Sequence, residues 1–156
     1  MNKLIFITGL ASGGKTTTIK AFLKLFGKNR TGSNVKVNNK SYQVRDCSNC
    51  DVGWDDFMAR VKKYCIDKNL IYPLCIDINN KENNYADFNQ IIEFLNSLNT
   101  NHDLYFFIIK NGSKNQHLDE RHINVIKQRY GLEKIRIIDN TSADNSDNLK
   151  NFIESI

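Results

Sequence analysis

The chain has 156 residues, 40% hydrophobic and 25% charged, with a formal net charge of +5. That length supports one domain with a single sizeable core, and that composition excludes a disordered chain. No apolar run reaches the roughly 20 residues that span a bilayer, and the opening MNKLIF is too short for a signal core.

The lysines scatter through every segment, and no basic cluster interleaves with aromatics, so the positive charge requires no nucleic-acid partner. A phosphate site would use the same potential. Asn2 breaks the myristoylation pattern, and NFIESI carries no cysteine for a prenyl group, so no membrane anchor is expected in the chain.

Leu4 to Thr8 (LIFIT) reads as a short strand buried on both faces. Next comes GLASGGKT, Gly9 to Thr16, which matches Gly-x-x-x-x-Gly-Lys-Thr in full. Ile19, Phe22, Leu23 and Phe26 then mark one helical face, closed by Gly27 as a C-cap glycine. Strand, glycine loop and helix aim backbone N–H groups and a helix N-terminus at an anion. The pattern predicts a cradle for a nucleotide's phosphates formed by Gly9, Ala11, Ser12, Gly13, Gly14, Lys15, Thr16 and Thr17. Lys15 would reach the β- and γ-phosphates, and the Thr16 hydroxyl would ligate Mg²⁺. The competing view, a glycine-rich turn with an incidental lysine, leaves the matching flanks unexplained.

Val35–Val37 and Tyr42–Arg45 alternate apolar and polar residues around Asn38-Asn39-Lys40, which predicts a β-hairpin. Trp54, Phe57, Met58, Val61 and Cys65 trace a helical stripe. Leu70 to Asp77 (LIYPLCID) reads as a strand in which Pro73 is tolerated only near the beginning or at an edge. A helix carrying Phe88, Ile91, Ile92, Leu95 and Leu98 follows, then the strand Leu104–Ile109. A helix with Ile123, Ile126 and Tyr130 ends at Gly131. Ile135–Ile138 is the last strand, and Leu149, Phe152, Ile153 and Ile156 mark the closing helix. The order predicts one α/β domain over residues 1–156, with a mostly parallel six-stranded sheet, one antiparallel edge strand and helices on both faces.

Four cysteines stand at positions 47, 50, 65 and 75. Cys47 and Cys50 have the C-x-x-C spacing of half a zinc site or of a redox pair. His102, His117 and His122 offer no matching ligand pair. The expected state is therefore a reduced, intracellular set of thiols in a cytoplasmic protein, with Cys65 and Cys75 as small core residues.

The order of P-loop, helix, hairpin and then Asp46 at the hairpin's exit resembles the G domain of Ras-like small GTPases, across nearly the whole chain. Ile138-Asp139-Asn140-Thr141-Ser142-Ala143 resembles that family's Thr-Ser-Ala stretch, which supports the guanine base. The resemblance implies a P-loop NTPase fold and a nucleotide switch binding GTP or GDP with Mg²⁺ and acting through an effector or regulatory protein. Lys15 and Asp46 would be the catalytic residues, Thr16, Thr31 and Asp46 would hold the metal, and Asn111, Ser142 and Ala143 would flank the base.

The match has gaps. The family's Asp-x-x-Gly is here Asp46-Cys47-Ser48-Asn49, leaving Asn49 to offer a backbone N–H to the γ-phosphate. Cys50 occupies the place of a water-orienting glutamine, and Ala11 replaces a P-loop glycine, which implies slow or partner-assisted hydrolysis. In Lys110-Asn111-Gly112-Ser113-Lys114, a lysine stands where an aspartate would accept two bonds from guanine, and a cation cannot accept them. The base is therefore guanine bound in a shifted way, a loosely read base, or another base such as that of ATP. Two other functions compete. A P-loop kinase or ATPase would use Asp77 as a Mg²⁺ carboxylate, Asp46 as a base, and Arg121 and Arg129 as phosphate clamps. A non-catalytic interaction module would keep the fold with an empty site.

Overall fold

The chain begins in a strand, β1 (Asn2–Gly9), whose apolar side chains alternate between two cores. The computed structural model describes residues 1–11, 13–76, 86–112, 115–139 and 145–156. After β1 come α1 (Lys15–Leu25), β2 (Asn34–Val37), β3 (Lys40–Val44), a short α2 (Asn49–Val52) and α3 (Trp54–Tyr64). β4 (Asn69–Cys75), α4 (Phe88–Asn99), β5 (His102–Ile109), α5 (Glu120–Tyr130), β6 (Ile135–Ile138) and α6 (Ser146–Glu154) complete the order. Six strands form one sheet in the order β2-β3-β4-β1-β5-β6, parallel throughout except for the β2–β3 pair at one edge. This is the expected α/β architecture.

The pleat divides the core. Leu4, Phe6, Tyr72 and Phe106 face the side covered by α3, α4 and α5, where Phe57, Leu95 and Ile126 meet them. Ile5, Ile7, Ile71 and Phe107 face the opposite side, where Ile19 and Phe22 of α1 and Leu149 and Phe152 of α6 pack. Period-2 alternation on strands buried on both faces thus yields one apolar layer above the sheet and one below it. On the first side, Phe57 packs edge-on against Tyr72 at 5.3 Å and Trp54 edge-on against Phe94 at 5.5 Å.

Local signals act as read. Gly27 takes φ +68; its N–H bonds the Lys24 carbonyl at 3.0 Å while Lys28 N–H bonds that of Leu23 at 2.9 Å, which is a Schellman stop for α1. Asn38 and Asn39 at φ +50 and +65 form the two-residue turn of the hairpin, as a type I′ connection requires. The hairpin is further tied by Asn38 Nδ2, which donates to the Glu154 carbonyl at 2.8 Å.

Pro73 sits in the middle of β4, and the reason is the shortness of β3. Pairing between β3 and β4 stops at Val44↔Ile71, with Arg45 N–H adding one bond to the Ile71 carbonyl. Residue 73 has the same lateral direction as Ile71, so its missing N–H faces an edge with no strand beside it, and β1 still pairs through Ile7↔Pro73. Two residues later the edge is closed by a side chain. Asn49 Oδ1 accepts from Cys75 N–H at 2.8 Å, and its Nδ2 donates to the Cys75 carbonyl at 3.0 Å.

Two histidines give the fold a pH dependence. His102 lies beside the Cys65 thiol at 3.6 Å, and His122 stacks on Phe88 with ring centroids 3.9 Å apart. Burial, the largest cause for each, pushes both imidazoles below their ordinary value of 6.5. A depressed imidazole binds its proton more readily in the unfolded chain. Its stabilisation is therefore complete above that value and is lost as pH falls through and below it. Thermal unfolding followed from about pH 8 to about pH 5 should show a plateau and then a decline. Replacing both residues with glutamine should flatten that decline.

Candidate functional site

The Gly9–Thr16 loop sits at the carboxyl end of β1, between β4 and β5. The helix after β1 packs on one face of the sheet, while those after β4 and β5 pack on the other. The loop therefore stands where the chain changes faces, the position at which open α/β sheets bind ligands. Gly14 caps α1 at φ +83, in the left-handed region that favours glycine, and contributes no side-chain cap. The first-turn amides of α1 lack intrahelical acceptors, the feature that lets a helix N-terminus take an anion. Gly13 donates its N–H to the Leu10 carbonyl at 3.0 Å, and a Cβ on Gly13 would lie 3.1 Å from both the nitrogen and the oxygen of Leu10.

Lys15 is 4% exposed, and its ammonium donates to that same Leu10 carbonyl. Leu10 is thus the loop's internal anchor, holding the cation inside the turn. Gly9, Gly13, Gly14 and Lys15 lie together in this turn. Ala11, Thr16 and Thr17 lie exposed around them. Ser12 lies outside the described residues.

Beside this loop is the segment after β5. A Cβ on Gly112 would lie 2.8 Å from Leu10 Cδ1, the outer end of that side chain, so the two loops touch here. Lys110 N–H bonds the Ile138 carbonyl at 2.9 Å, Gly112 N–H bonds that of Gln116 at 2.7 Å, and Leu118 N–H bonds that of Lys110 at 2.8 Å. The side chains of Asn111 and His117 are hydrogen-bonded to each other. Together, Lys110, Asn111, His117, Leu118, Glu120 and Asp139 line an open cleft of about 400 Å³. Lys110 pairs with Glu120 and lies 4.0 Å from Asp139. The hydrogen bond between Lys110 and Glu120 raises the lysine's pKa and lowers the carboxyl's.

Glu120 carries no motif, Asp139 enters only within the Ile138–Ala143 stretch, and His117 only as a histidine without a matching ligand pair. Their only shared sequence signal is that they stand near the ends of β5, β6 and the start of α5, since spacing alone does not bring them together. Lys114, Ser142 and Ala143, with the rest of the Thr-Ser-Ala stretch, lie outside the described residues, as does Asp77.

The switch-like residues are placed as follows. Asp46 is half-buried just after β3 and accepts from the Cys47 thiol at 3.6 Å. Thr31 is exposed ahead of β2, where Gly32 at φ +82 and Ser33 both oppose Val44, as in a glycine bulge. One expectation is corrected. Cys50 and Cys75 are not reduced thiols; they form a disulfide, leaving Cys47 and Cys65 free. The sulfur at position 50 is therefore committed to a covalent bond. Asn49 is 1% exposed and opens α2 with its side-chain amide hydrogen-bonded to Cys75. The signal overlooked was Ser48-x-x-Asp51, a capping box in which the Asp51 carboxylate accepts from Ser48 N–H at 2.8 Å.

Comparison with protein families, with curated proteins and with solved structures returns no match. The site thus rests on its own geometry. Among the described residues no group of three His, Cys, Asp or Glu side chains could hold a metal. The Thr16 hydroxyl and Asp46 carboxylate are hard oxygen donors of the kind Mg²⁺ takes when phosphate oxygens and waters complete its shell. Arg121 is closed onto Asp119 at 2.8 Å, and that pairing holds the Asp119 carboxyl down to about 2. No helix among the described residues is long and apolar enough to cross a membrane.

Proposed function

We propose that this chain is a Ras-like nucleotide-binding switch that binds GTP and GDP with Mg²⁺. The observation that carries the reading is the Gly9–Thr16 loop, with Lys15 buried in the turn at the point where the chain changes sheet faces. In this reading the amides between Leu10 and Thr16 wrap the phosphates, Lys15 neutralises them, and the Thr16 hydroxyl and Asp46 carboxylate hold Mg²⁺. The cleft beside Asn111 takes the base. Asp139 and Glu120 offer the carboxylate acceptors that Lys114 cannot. Hydrolysis is slow or partner-assisted, because the sulfur of Cys50 is bonded to Cys75 and cannot orient water. The output is recruitment of an effector protein in the cytoplasm.

Titration of the purified protein with GTP, GDP and ATP in Mg²⁺ tests the reading. Tight GTP and GDP binding supports it. A preference for ATP with phosphate transfer to a small acceptor would instead establish a kinase, and no binding by any of the three would favour an interaction module. Asp139→Asn should lower the ratio of GTP to ATP affinity by about tenfold, the effect of losing one charged acceptor, while leaving triphosphate binding in place. An unchanged ratio would remove Asp139 from base recognition.

A further inference from the structure

We propose that the Cys50–Cys75 disulfide is a thiol-reversible latch. It fastens the segment between β3 and α3 to the end of β4, and a dithiol releases that segment while the sheet stays folded. The inference goes beyond the nucleotide reading and does not depend on it.

The bond joins the four-residue α2 to the last residue of β4 across a separation of 25 residues. Neither of its cysteines belongs to the two apolar clusters that make the core. The sheet and its helices are therefore packed by contacts that remain when the bond opens. A helix of one turn does not persist by itself. α2 keeps its place through its capping box, the packing of Val52 on the first apolar cluster, the paired bonds of Asn49 to Cys75, and the disulfide. Removing the covalent tie leaves a segment that closes and opens on the two Asn49 bonds and the contact of Val52.

Access is one-sided. Cys75 is 1% exposed, whereas Cys50 is partly exposed. A dithiol's thiolate attacks Cys50 Sγ and the Cys50–Cys75 bond breaks. Cys75 leaves as a thiolate and takes a proton. The dithiol's second sulfur then displaces Cys50 from the mixed disulfide, giving two protein thiols and one oxidised dithiol. Cys47, in the same segment, does not pre-empt this exchange. Its thiol donates to the Asp46 carboxylate at 3.6 Å. The latch also adjoins the Gly9–Thr16 loop, because Ile76, next after Cys75, donates its N–H to the Gly9 carbonyl at 2.9 Å. Disulfides in reducing compartments are characteristically transient and redox-sensing.

The test compares air-oxidised full-length protein with the same protein treated with dithiothreitol. Each sample is acid-quenched, unfolded and alkylated to count thiols, and amide hydrogen exchange is followed in parallel. Two alkylated cysteines should become four. Amides 49–53 should exchange at least about tenfold faster after reduction, while those of β1 and β5 stay unchanged. Cys75→Ser should show the fast pattern without reductant, and Cys47→Ser should behave as the parent. The proposal is overturned if the oxidised protein lacks the bond, if exchange at 49–53 does not respond, or if β1 and β5 also open on reduction. A Cys75→Ser protein that fails to fold would likewise overturn it, by making the disulfide a structural staple.

Discussion

Lys15→Met is expected to weaken binding of magnesium-bound GTP and GDP by roughly a hundredfold or more, since charge-assisted bonds to phosphate contribute about 1.5–3 kcal/mol each. Methionine keeps the aliphatic stem inside the loop, so the substitution removes the ammonium with little change in packing. Its side effect is to leave the Leu10 carbonyl without this donor; Gly13 N–H still bonds it, which limits the loss of stability to about 1 kcal/mol. Isothermal titration and circular dichroism on the same samples separate the two effects. A folded variant with the affinity of the parent would remove the phosphate-cradle reading. A folded variant that loses all three nucleotides together would support the cradle while leaving base choice to the cleft.

Asn49→Ala should be a costly substitution. It strands both the N–H and the carbonyl of Cys75, a residue 1% exposed, in one step. Orphaned buried groups of this kind cost about 1–3 kcal/mol each, so the oxidised protein should lose about 3 kcal/mol and unfold roughly 10 °C lower. Asn49→Asp sharpens the test. Its carboxylate can accept from Cys75 N–H but turns a negative oxygen toward the Cys75 carbonyl, so it should be at least as destabilising at neutral pH. In acid, where the carboxyl protonates and regains a donor, the difference from the parent should narrow. A loss within about 0.5 kcal/mol for Asn49→Ala would mean that water replaces the side chain, and that Asn49 does not close the sheet edge.

Both predictions turn on residues whose importance is legible to different degrees. Lys15 announces itself through a motif with a buried strand before it and an amphipathic helix after it, all of it local. Asn49 does not. Its partner is 26 residues away, and its role exists only because β3 stops short of β4. The same shortness admits Pro73 to the middle of a strand, so one feature of sheet register explains both a mid-strand proline and an asparagine buried at the sheet edge.

The sequence by itself determined the elements and their order. Strand and helix periodicities, the Asn38-Asn39 turn, and the stops at Gly27 and Gly131 are set by residues a few positions apart, and their physics is local. Tertiary structure alone decided what met across the sheet's carboxyl end. It brought Gly112 against Leu10, placed Glu120 and Asp139 around one cleft, and joined Cys50 to Cys75. Those pairings depend on which strands are neighbours and where each one ends, information that no stretch of neighbouring residues carries.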